Sequence, residues 1–199
     1  MKIVVIGASG TIGKAVVEQL GARHDIITVG RNSGQHRVRM EEYDDVVALF
    51  ERTGPVDAVV VAAGELHFGP LTEMTPEQFY IGLNSKLMGQ VNVALAAQHK
   101  LTDGGVITLT SGSVGTHPIR YGANASTVNR ALEGFVLGAA VELPRRLRIN
   151  LVDPTLVTES VPQYGAYFPG IETVDVRRVA LAYTRSVEGP ETGKTYRVW

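Results

Sequence analysis

The chain opens with MKIVVIGASGTIG, residues 1–13, and this stretch decides the fold. The apolar run that ends at Ile6 is typical of a strand buried on both faces, and the pattern over Ile12–Leu20 predicts a helix. Gly7, Gly10 and Gly13 lie around this junction, where glycines let the backbone approach a pyrophosphate held at the helix N-terminus. The GxxGxxG spacing therefore predicts nucleotide binding, and the alternative is a tight turn with a purely structural role.

The composition is that of an ordinary globular domain. Of 199 residues, 44% are hydrophobic and 20% are charged, which predicts a single domain spanning residues 1–199. A net charge of −1 offers no basic surface for nucleic acid or an anionic membrane. The chain has no cysteine and its five histidines lack ligand spacing, so we expect no disulfide and no metal. No apolar stretch is long enough for a signal peptide or a membrane span, which predicts a cytoplasmic protein.

Short β-branched runs alternate with longer helical patterns along the whole chain. The predicted strands are Lys2–Ile6, Asp25–Val29, Arg37–Met40, Val56–Ala62, Val106–Thr110, Arg148–Val152 and Thr195–Val198. The predicted helices are Ile12–Leu20, Tyr43–Arg52, Thr75–Lys100, Asn124–Leu143 and Val174–Ser186. Strict alternation of this kind predicts right-handed βαβ crossovers, and therefore an α/β fold with a doubly wound parallel sheet.

Local signals mark the ends of two helices. Thr75 offers an N-cap side chain, Pro76 suits the first helical position, and Gln78 completes a capping box. Asn124 is predicted to cap the next helix, and Pro144 excludes helix at the residue before it.

The second predicted strand runs into Gly30-Arg31-Asn32-Ser33. An acidic residue at this point would accept a hydrogen bond from the ribose 2′-hydroxyl of NAD. An arginine instead suits the 2′-phosphate of NADP, which a guanidinium can meet bidentately. Ser33 adds a hydroxyl donor. The sequence therefore predicts NADP in preference to NAD, and the alternative is a solvated arginine in a βα loop.

Several segments together resemble the short-chain dehydrogenase/reductase family. They are Gly7–Gly13, Ala62-Ala63-Gly64, Ile107–Gly112, Ala131–Phe135 and Arg148–Pro154, in the family's order. The resemblance implies a Rossmann-like, three-layer fold of about seven strands in the order 3-2-1-4-5-6-7. It implies a homodimer or homotetramer in which helices Thr75–Lys100 and Asn124–Leu143 pair across a two-fold axis. It also implies a nicotinamide cofactor held by Gly7, Ser9, Gly10, Thr11, Ile12, Gly13, Arg31, Asn32, Ser33, Ala62, Ala63, Gly64, Thr110, Pro154 and Thr155.

At the catalytic positions the resemblance is partial. Of the family's serine, tyrosine, lysine and asparagine, only the serine is matched, by Ser111. The tyrosine position falls on Ala125, the lysine position on Asn129 and the asparagine position on Lys86. We therefore take Ser111 as the donor that polarises a carbonyl, and Lys86 as proton donor or alkoxide stabiliser or, alternatively, a structural tether. Tyr121, about one helical turn before Ala125, is a third catalytic candidate, or else a residue that lines the cleft.

Two functions are consistent with these residues. The first is an NADP-dependent oxidoreductase of the short-chain type, acting on a small carbonyl or alcohol as substrate. The second is a non-catalytic NADP-binding protein that senses redox state or regulates a partner, which the missing tyrosine and lysine favour. The irregular segment Asp153–Thr173 is expected to line the substrate pocket, with apolar and aromatic side chains at Val161, Tyr164, Tyr167 and Phe168.

Overall fold

Seven strands and seven α-helices follow one another along residues 1–199, which we describe from a computed structural model. The strands are β1 (Lys2–Ile6), β2 (Asp25–Gly30), β3 (His36–Arg37), β4 (Val56–Val61), β5 (Leu101–Thr110), β6 (Arg148–Pro154) and β7 (Thr195–Val198). The helices are α1 (Thr11–Gly21), α2 (Tyr43–Thr53), α3 (Pro76–Gly82), α4 (Gly89–Ala97), α5 (Ala123–Glu142), α6 (Val161–Tyr164) and α7 (Val176–Glu188).

All seven strands form one parallel sheet in the order β3-β2-β1-β4-β5-β6-β7. The predicted doubly wound, Rossmann-like sheet and its strand order are confirmed. Because the strand order reverses between β1 and β4, the loops after these two strands diverge and leave a crevice at the carboxyl edge of the sheet. No helix is both long and apolar enough to span a membrane.

Two apolar layers hold the helices against the two faces of the sheet. Side chains alternate across β1, so Ile3 and Val5 belong to one layer and Val4 and Ile6 to the other. The first layer packs under α1 and α7, and the second under α2, α4 and α5. Burial on both faces explains why the central strands are continuous apolar runs. Their parallel orientation brings their carboxyl ends to one edge of the sheet.

The helix predicted over Thr75–Lys100 is interrupted in the structure. α3 ends at Gly82, a π-helical segment covers Leu83–Met88, and α4 follows without a break in the chain direction. The wider π turn re-aims the side chains within it, and such segments are frequent at functional sites. The prediction of one regular helix was therefore wrong at the part of the helix that carries Lys86.

Two further predictions need correction and two are confirmed. The third strand is His36–Arg37 rather than Arg37–Met40, because the chain leaves the sheet edge as Val38 and Met40 turn into the core. Asn124 does not cap α5; its buried amide instead accepts from the backbone N–H of His67 and donates to the carbonyl of Phe79. The capping box at Thr75 is present, and α5 ends before Pro144 as predicted.

Candidate active site

The glycine-rich turn between β1 and α1 has a shape that only certain glycines can provide. Gly7 has φ of +85°, and a Cβ there would lie 2.4 Å from the carbonyl oxygen of Ala62. A Cβ at Gly13 would lie 2.0 Å from the oxygen of Gly7, whereas one at Gly10 would meet only that oxygen, at 3.4 Å. Gly7 and Gly13 are therefore required by the turn itself, and Gly10 leaves open backbone at the start of α1.

The start of α1 is suited to an anion. Gly10 is its N-cap and supplies no side-chain hydrogen bond, and the first turn holds no acidic residue. The leading N–H groups of Thr11, Ile12 and Gly13 therefore stay available to a ligand, and the helix dipole favours negative charge there. Open backbone at Gly10, next to free N–H groups at the start of the helix, fits the pyrophosphate of a nicotinamide dinucleotide.

A cavity of about 220 Å³ extends from this turn towards the end of β2. Its lining includes Gly7, Ser9, Arg31, Ala63 and Gly64, all of which were predicted to bind cofactor. Ser33 donates from its hydroxyl to that of Ser9 at 3.0 Å, so it joins the same wall, while Asn32 is exposed. The cavity thus lies between the glycine turn and the end of β2, where a doubly wound fold holds the ribose end of a dinucleotide.

Arg31 is not a free cation in this cavity. Its guanidinium forms an ion pair with Glu41 through Nη2 and lies 3.5 Å from Glu65 through Nη1. Both carboxylates also line the cavity. The predicted phosphate-binding arginine is therefore already paired within the chain.

The larger cavity, of about 390 Å³, lies at the carboxyl edge of β4, β5 and β6. Four predicted cofactor residues line it: Ile12, Gly64, Pro154 and Thr155. Two predicted catalytic residues, Lys86 and Ser111, line it as well. Asn129 and Ala125 reach it from α5. The structure thus brings together the segments that the resemblance links to the nicotinamide side of the cofactor.

Lys86 is the buried cation of this cavity. Its Nζ donates to the carbonyl oxygen of Ser111 at 2.9 Å and to Oδ1 of Asn129 at 2.8 Å. The residue is only 8% exposed, and burial lowers the pKa of Lys86 to about 8, against a smaller opposing effect of Asp153. Gly64 permits this packing, because a Cβ there would lie 2.6 Å from the Cα of Lys86. An ammonium has three N–H bonds, so one remains for a ligand.

The hydroxyl of Ser111 is directed at Asp153. Ser111 Oγ donates to Asp153 Oδ1 at 2.9 Å and accepts from the backbone N–H of Gly112. Both side chains are buried, and burial raises the pKa of Asp153, while the hydrogen bond from Ser111 lowers it. A serine has one hydroxyl proton. While Asp153 is ionised, Ser111 therefore presents lone pairs to the cavity rather than a donor.

The predicted site residues Tyr121 and Thr110 lie away from the 390 Å³ cavity. Tyr121 is in the loop before α5, is 37% exposed, and has the Arg120 guanidinium 4.9 Å above its ring. Thr110 points into the core, where its hydroxyl bonds the carbonyl of Val61 and the hydroxyl of Tyr183. Neither lines the 390 Å³ cavity, so the structure does not bring Tyr121 to Lys86 and Ser111.

Three carboxylate partners were not predicted. Asp153 has a signal in the sequence, since it is the one acidic residue of its strand and directly follows the apolar pair Leu151 and Val152. The register of β5 and β6 places Thr110 beside Val152, and hence Ser111 close to Asp153. The pairing of Arg31 with Glu41 and Glu65 joins residues from separate loops, and no local pattern marks it.

The fold defines the class: a doubly wound α/β protein with a glycine-rich turn and two cavities at the carboxyl edge of its sheet. A family model described as "Enoyl-(Acyl carrier protein) reductase" matches residues 38–189. The chain belongs to the short-chain dehydrogenase/reductase family.

Known relatives agree with this membership. The crystal structure of the protein lin1944 from Listeria innocua superposes with a TM-score of 0.99 at 43% identity, over 100% of both chains. The tetrahydroxynaphthalene reductase of Pestalotiopsis fici is 30% identical over 163 residues, which are 74% of this chain and 56% of that enzyme. A small-chain dehydrogenase in complex with NADPH shares the fold, with a TM-score of 0.89 at 23% identity, over 100% of this chain and 96% of that one.

Proposed function

We propose that the protein is an NADP-dependent oxidoreductase that acts on a small carbonyl or alcohol. The observation that carries this proposal is the 390 Å³ cavity, in which a buried lysine with one unused N–H faces the segments expected to hold a nicotinamide. The cofactor, when bound, supplies or accepts the hydride. The chain's own residues then have to orient the substrate oxygen and handle its proton.

In this proposal the dinucleotide is held along the turn of β1 and α1. The N–H groups at the start of α1 bind the pyrophosphate, and Arg31 with Ser33 meets the 2′-phosphate. Pro154 and Thr155 border the nicotinamide side. Preference for NADP is supported by the guanidinium at the end of β2, and the distant structural neighbour that binds NADPH is consistent with it.

Lys86 is the proposed proton donor. Reduction of a carbonyl places negative charge on its oxygen, and a cation aimed at that oxygen stabilises the transition state. Burial lowers the pKa of Lys86 to about 8, which is close to neutral pH. A group with such a pKa is protonated near neutrality and can also release its proton. Asn129, which takes one of the other two N–H bonds, fixes the direction of the amine.

Ser111 has a secondary place in this mechanism. Its proton is engaged by Asp153, so Ser111 accepts from a substrate hydroxyl more readily than it donates to a carbonyl. It becomes a donor only when Asp153 is protonated and can itself donate to Ser111 Oγ.

The substrate is proposed to be apolar and small. Phe68, Tyr164 and Phe168 line the cavity, and the ring of Phe68 lies 5.0 Å from that of Tyr167 and 6.2 Å from that of Tyr164, centroid to centroid. Lys86 and Glu65 are the charged residues of the lining. Such a wall favours a flat or ring-containing carbonyl with a single polar oxygen.

A non-catalytic NADP-binding protein is the second candidate. Two points favour it: Ala125, which the resemblance assigns to the position of the family's tyrosine, lines the cavity, and Lys86 already donates to two internal acceptors. In that case Lys86 is a tether between the π-helical segment, β5 and α5.

One experiment separates the candidates. NADPH and NADH binding are measured by titration calorimetry, and NADPH oxidation is followed at the nicotinamide absorbance with a panel of aromatic and aliphatic ketones, aldehydes and quinones. Binding with turnover supports the oxidoreductase, and tight binding without turnover supports the sensor. Arg31→Asp should weaken NADPH much more than NADH, and equal loss for both contradicts the assigned role of Arg31.

We also propose that the chain forms a homodimer or homotetramer through α4 and α5. Leu95, Leu137 and Val141 are exposed, and a Cβ at Gly134 or Gly138 would meet no atom within 4 Å, which leaves the surface of α5 open for close packing. Light scattering should show the oligomer, and Leu137→Glu should shift it towards monomer. Wild-type protein that is monomeric at micromolar concentration rules this out.

A further inference from the structure

The adenosine-side cavity carries more negative than positive charge. Its charged lining residues are Arg31, Glu41 and Glu65, which sum to one net negative charge. A 2′-phosphate would have to enter this field and compete with a carboxylate for the guanidinium. The carboxylates around Arg31 therefore weaken the preference for NADP over NAD that Arg31 alone predicts.

Glu41 is held in place rather than resting loosely on Arg31. It lies between β3 and α2, where the buried side chain of Asn92 donates to the backbone oxygens of Met40, at 3.0 Å, and Glu41, at 3.4 Å. The side chain of Glu41 is 24% exposed, against 65% for that of Glu65. Of the two carboxylates, that of Glu41 is thus the more buried and the more closely paired with Arg31.

We infer that Glu41 is a residue that determines cofactor specificity. Its carboxylate pairs with the guanidinium of Arg31 and so limits the preference of the site for the 2′-phosphate of NADP over the ribose hydroxyl of NAD. The inference rests on the proposed NADP function and deepens it. The Arg31 side chain is 49% exposed, so an ion pair there contributes little to stability and a phosphate can displace the carboxylate. The displaced carboxylate remains nearby and repels the phosphate.

The test is the affinity of three probes for the intact protein. NADPH, NADH and adenosine 2′,5′-bisphosphate are titrated calorimetrically into wild type and Glu41→Gln. Glutamine keeps an oxygen that accepts from Arg31, so the guanidinium stays in place while the charge is lost. We expect NADPH and the bisphosphate to bind about tenfold more tightly to Glu41→Gln, and NADH to change by less than about twofold.

Glu42→Gln is the matched control. Glu42 is the next residue on the same segment, is exposed, and does not line the cavity, so its substitution makes the same change in net charge outside the site. Glu65→Gln should give a gain smaller than that of Glu41→Gln, since Glu65 lies 3.5 Å from Arg31 and is mostly exposed. Glu41→Ala serves as a second variant, and thermal melting checks that each protein is folded.

The failures of the two proposals are distinguishable. Wild type that binds neither nucleotide overturns the proposed function. Wild type that binds NADPH, with Glu41→Gln and Glu42→Gln giving the same affinity, overturns only the role of Glu41. Glu41→Gln that weakens NADH and leaves NADPH unchanged also overturns it, because Glu41 would then be an acceptor for the ribose hydroxyl.

Discussion

The turn of residues 7–13 and the 390 Å³ cavity lie at the same edge of the sheet, yet they are built in opposite ways. The turn is one continuous segment whose shape depends on backbone and on missing Cβ atoms at Gly7 and Gly13. The polar centre of the cavity instead joins three distant elements: Lys86 from the π-helical segment, Ser111 after β5, and Asn129 from α5. A site made of backbone cannot change without changing the fold. A site made of side chains can change its chemistry by substitution while the fold stays the same.

The resemblance to the family implies such a change in the cavity. It assigns asparagine to position 86 and lysine to position 129, and this chain carries the reverse pair in direct contact at 2.8 Å. On that assignment the cation lies on the π-helical segment instead of α5, and it donates to the carbonyl of Ser111. The same assignment puts Ala125 at the position of the tyrosine, and Tyr121 lies outside the cavity.

The largest effect is expected in the turn, where Gly13→Ala should lower the stability of the fold. The new Cβ would lie 2.0 Å from the oxygen of Gly7, so β1 and α1 would have to separate. We expect a loss of about 3 kcal/mol or more in the free energy of unfolding, measured by chemical denaturation. Gly21→Ala, at the other end of α1, is the control, because its Cβ meets only Ile26 at 3.6 Å. Equal stability of both variants would mean that the turn is not constrained as described.

In the 390 Å³ cavity we expect the next largest effect, from Lys86→Met. Once a substrate is found, turnover should fall by at least about 10²-fold, the lower range for a lost general acid, because Lys86 is the one cation that lines the cavity. NADPH affinity should stay within about twofold of wild type, since the pyrophosphate and adenosine contacts are untouched. Lys100→Met removes a lysine from a surface ion pair with Glu51 and should leave turnover unchanged. Unchanged turnover in Lys86→Met would identify Lys86 as a tether.

The same contrast explains what could be predicted from the sequence. The parallel strands and the glycine turn were predicted correctly, because buried strands and tight turns leave contiguous patterns, whereas the strand order came from the resemblance to the family. The π-helical segment was not predicted, since Leu83–Met88 has the composition of an ordinary helix and its wider turn comes from tertiary packing. The ion pair from Arg31 to Glu41 joins side chains of separate loops, which no local pattern encodes. The hydrogen bond from Ser111 to Asp153 follows instead from the register of β5 and β6, which the sequence does not specify.

A smaller effect is expected from the charge on Lys86. Its pKa is lowered by burial from the ordinary 10.5 to about 8, so between these values the unfolded chain binds a proton that the folded chain does not. The free energy of unfolding of wild type, relative to Lys86→Met, should therefore rise as the pH increases from about 8 to 10.5, by on the order of 2 kcal/mol. Denaturation at several pH values measures the difference. A flat difference would mean that Lys86 is not buried as a cation.

The smallest change in stability is expected for Gly10→Ala, and this variant sharpens the contrast between backbone required by the fold and backbone reserved for a ligand. Gly10 has φ of −75°, which alanine adopts freely, and its Cβ would meet only the oxygen of Gly7 at 3.4 Å. As an N-cap without a side-chain bond it should lose less than about 1 kcal/mol on substitution. The added methyl group would nevertheless cover the open start of α1, where a pyrophosphate is expected to lie, and NADPH affinity should fall about tenfold. Calorimetric titration beside a denaturation curve tests both parts, and a variant that keeps full NADPH affinity would show that the pyrophosphate does not pass over Gly10.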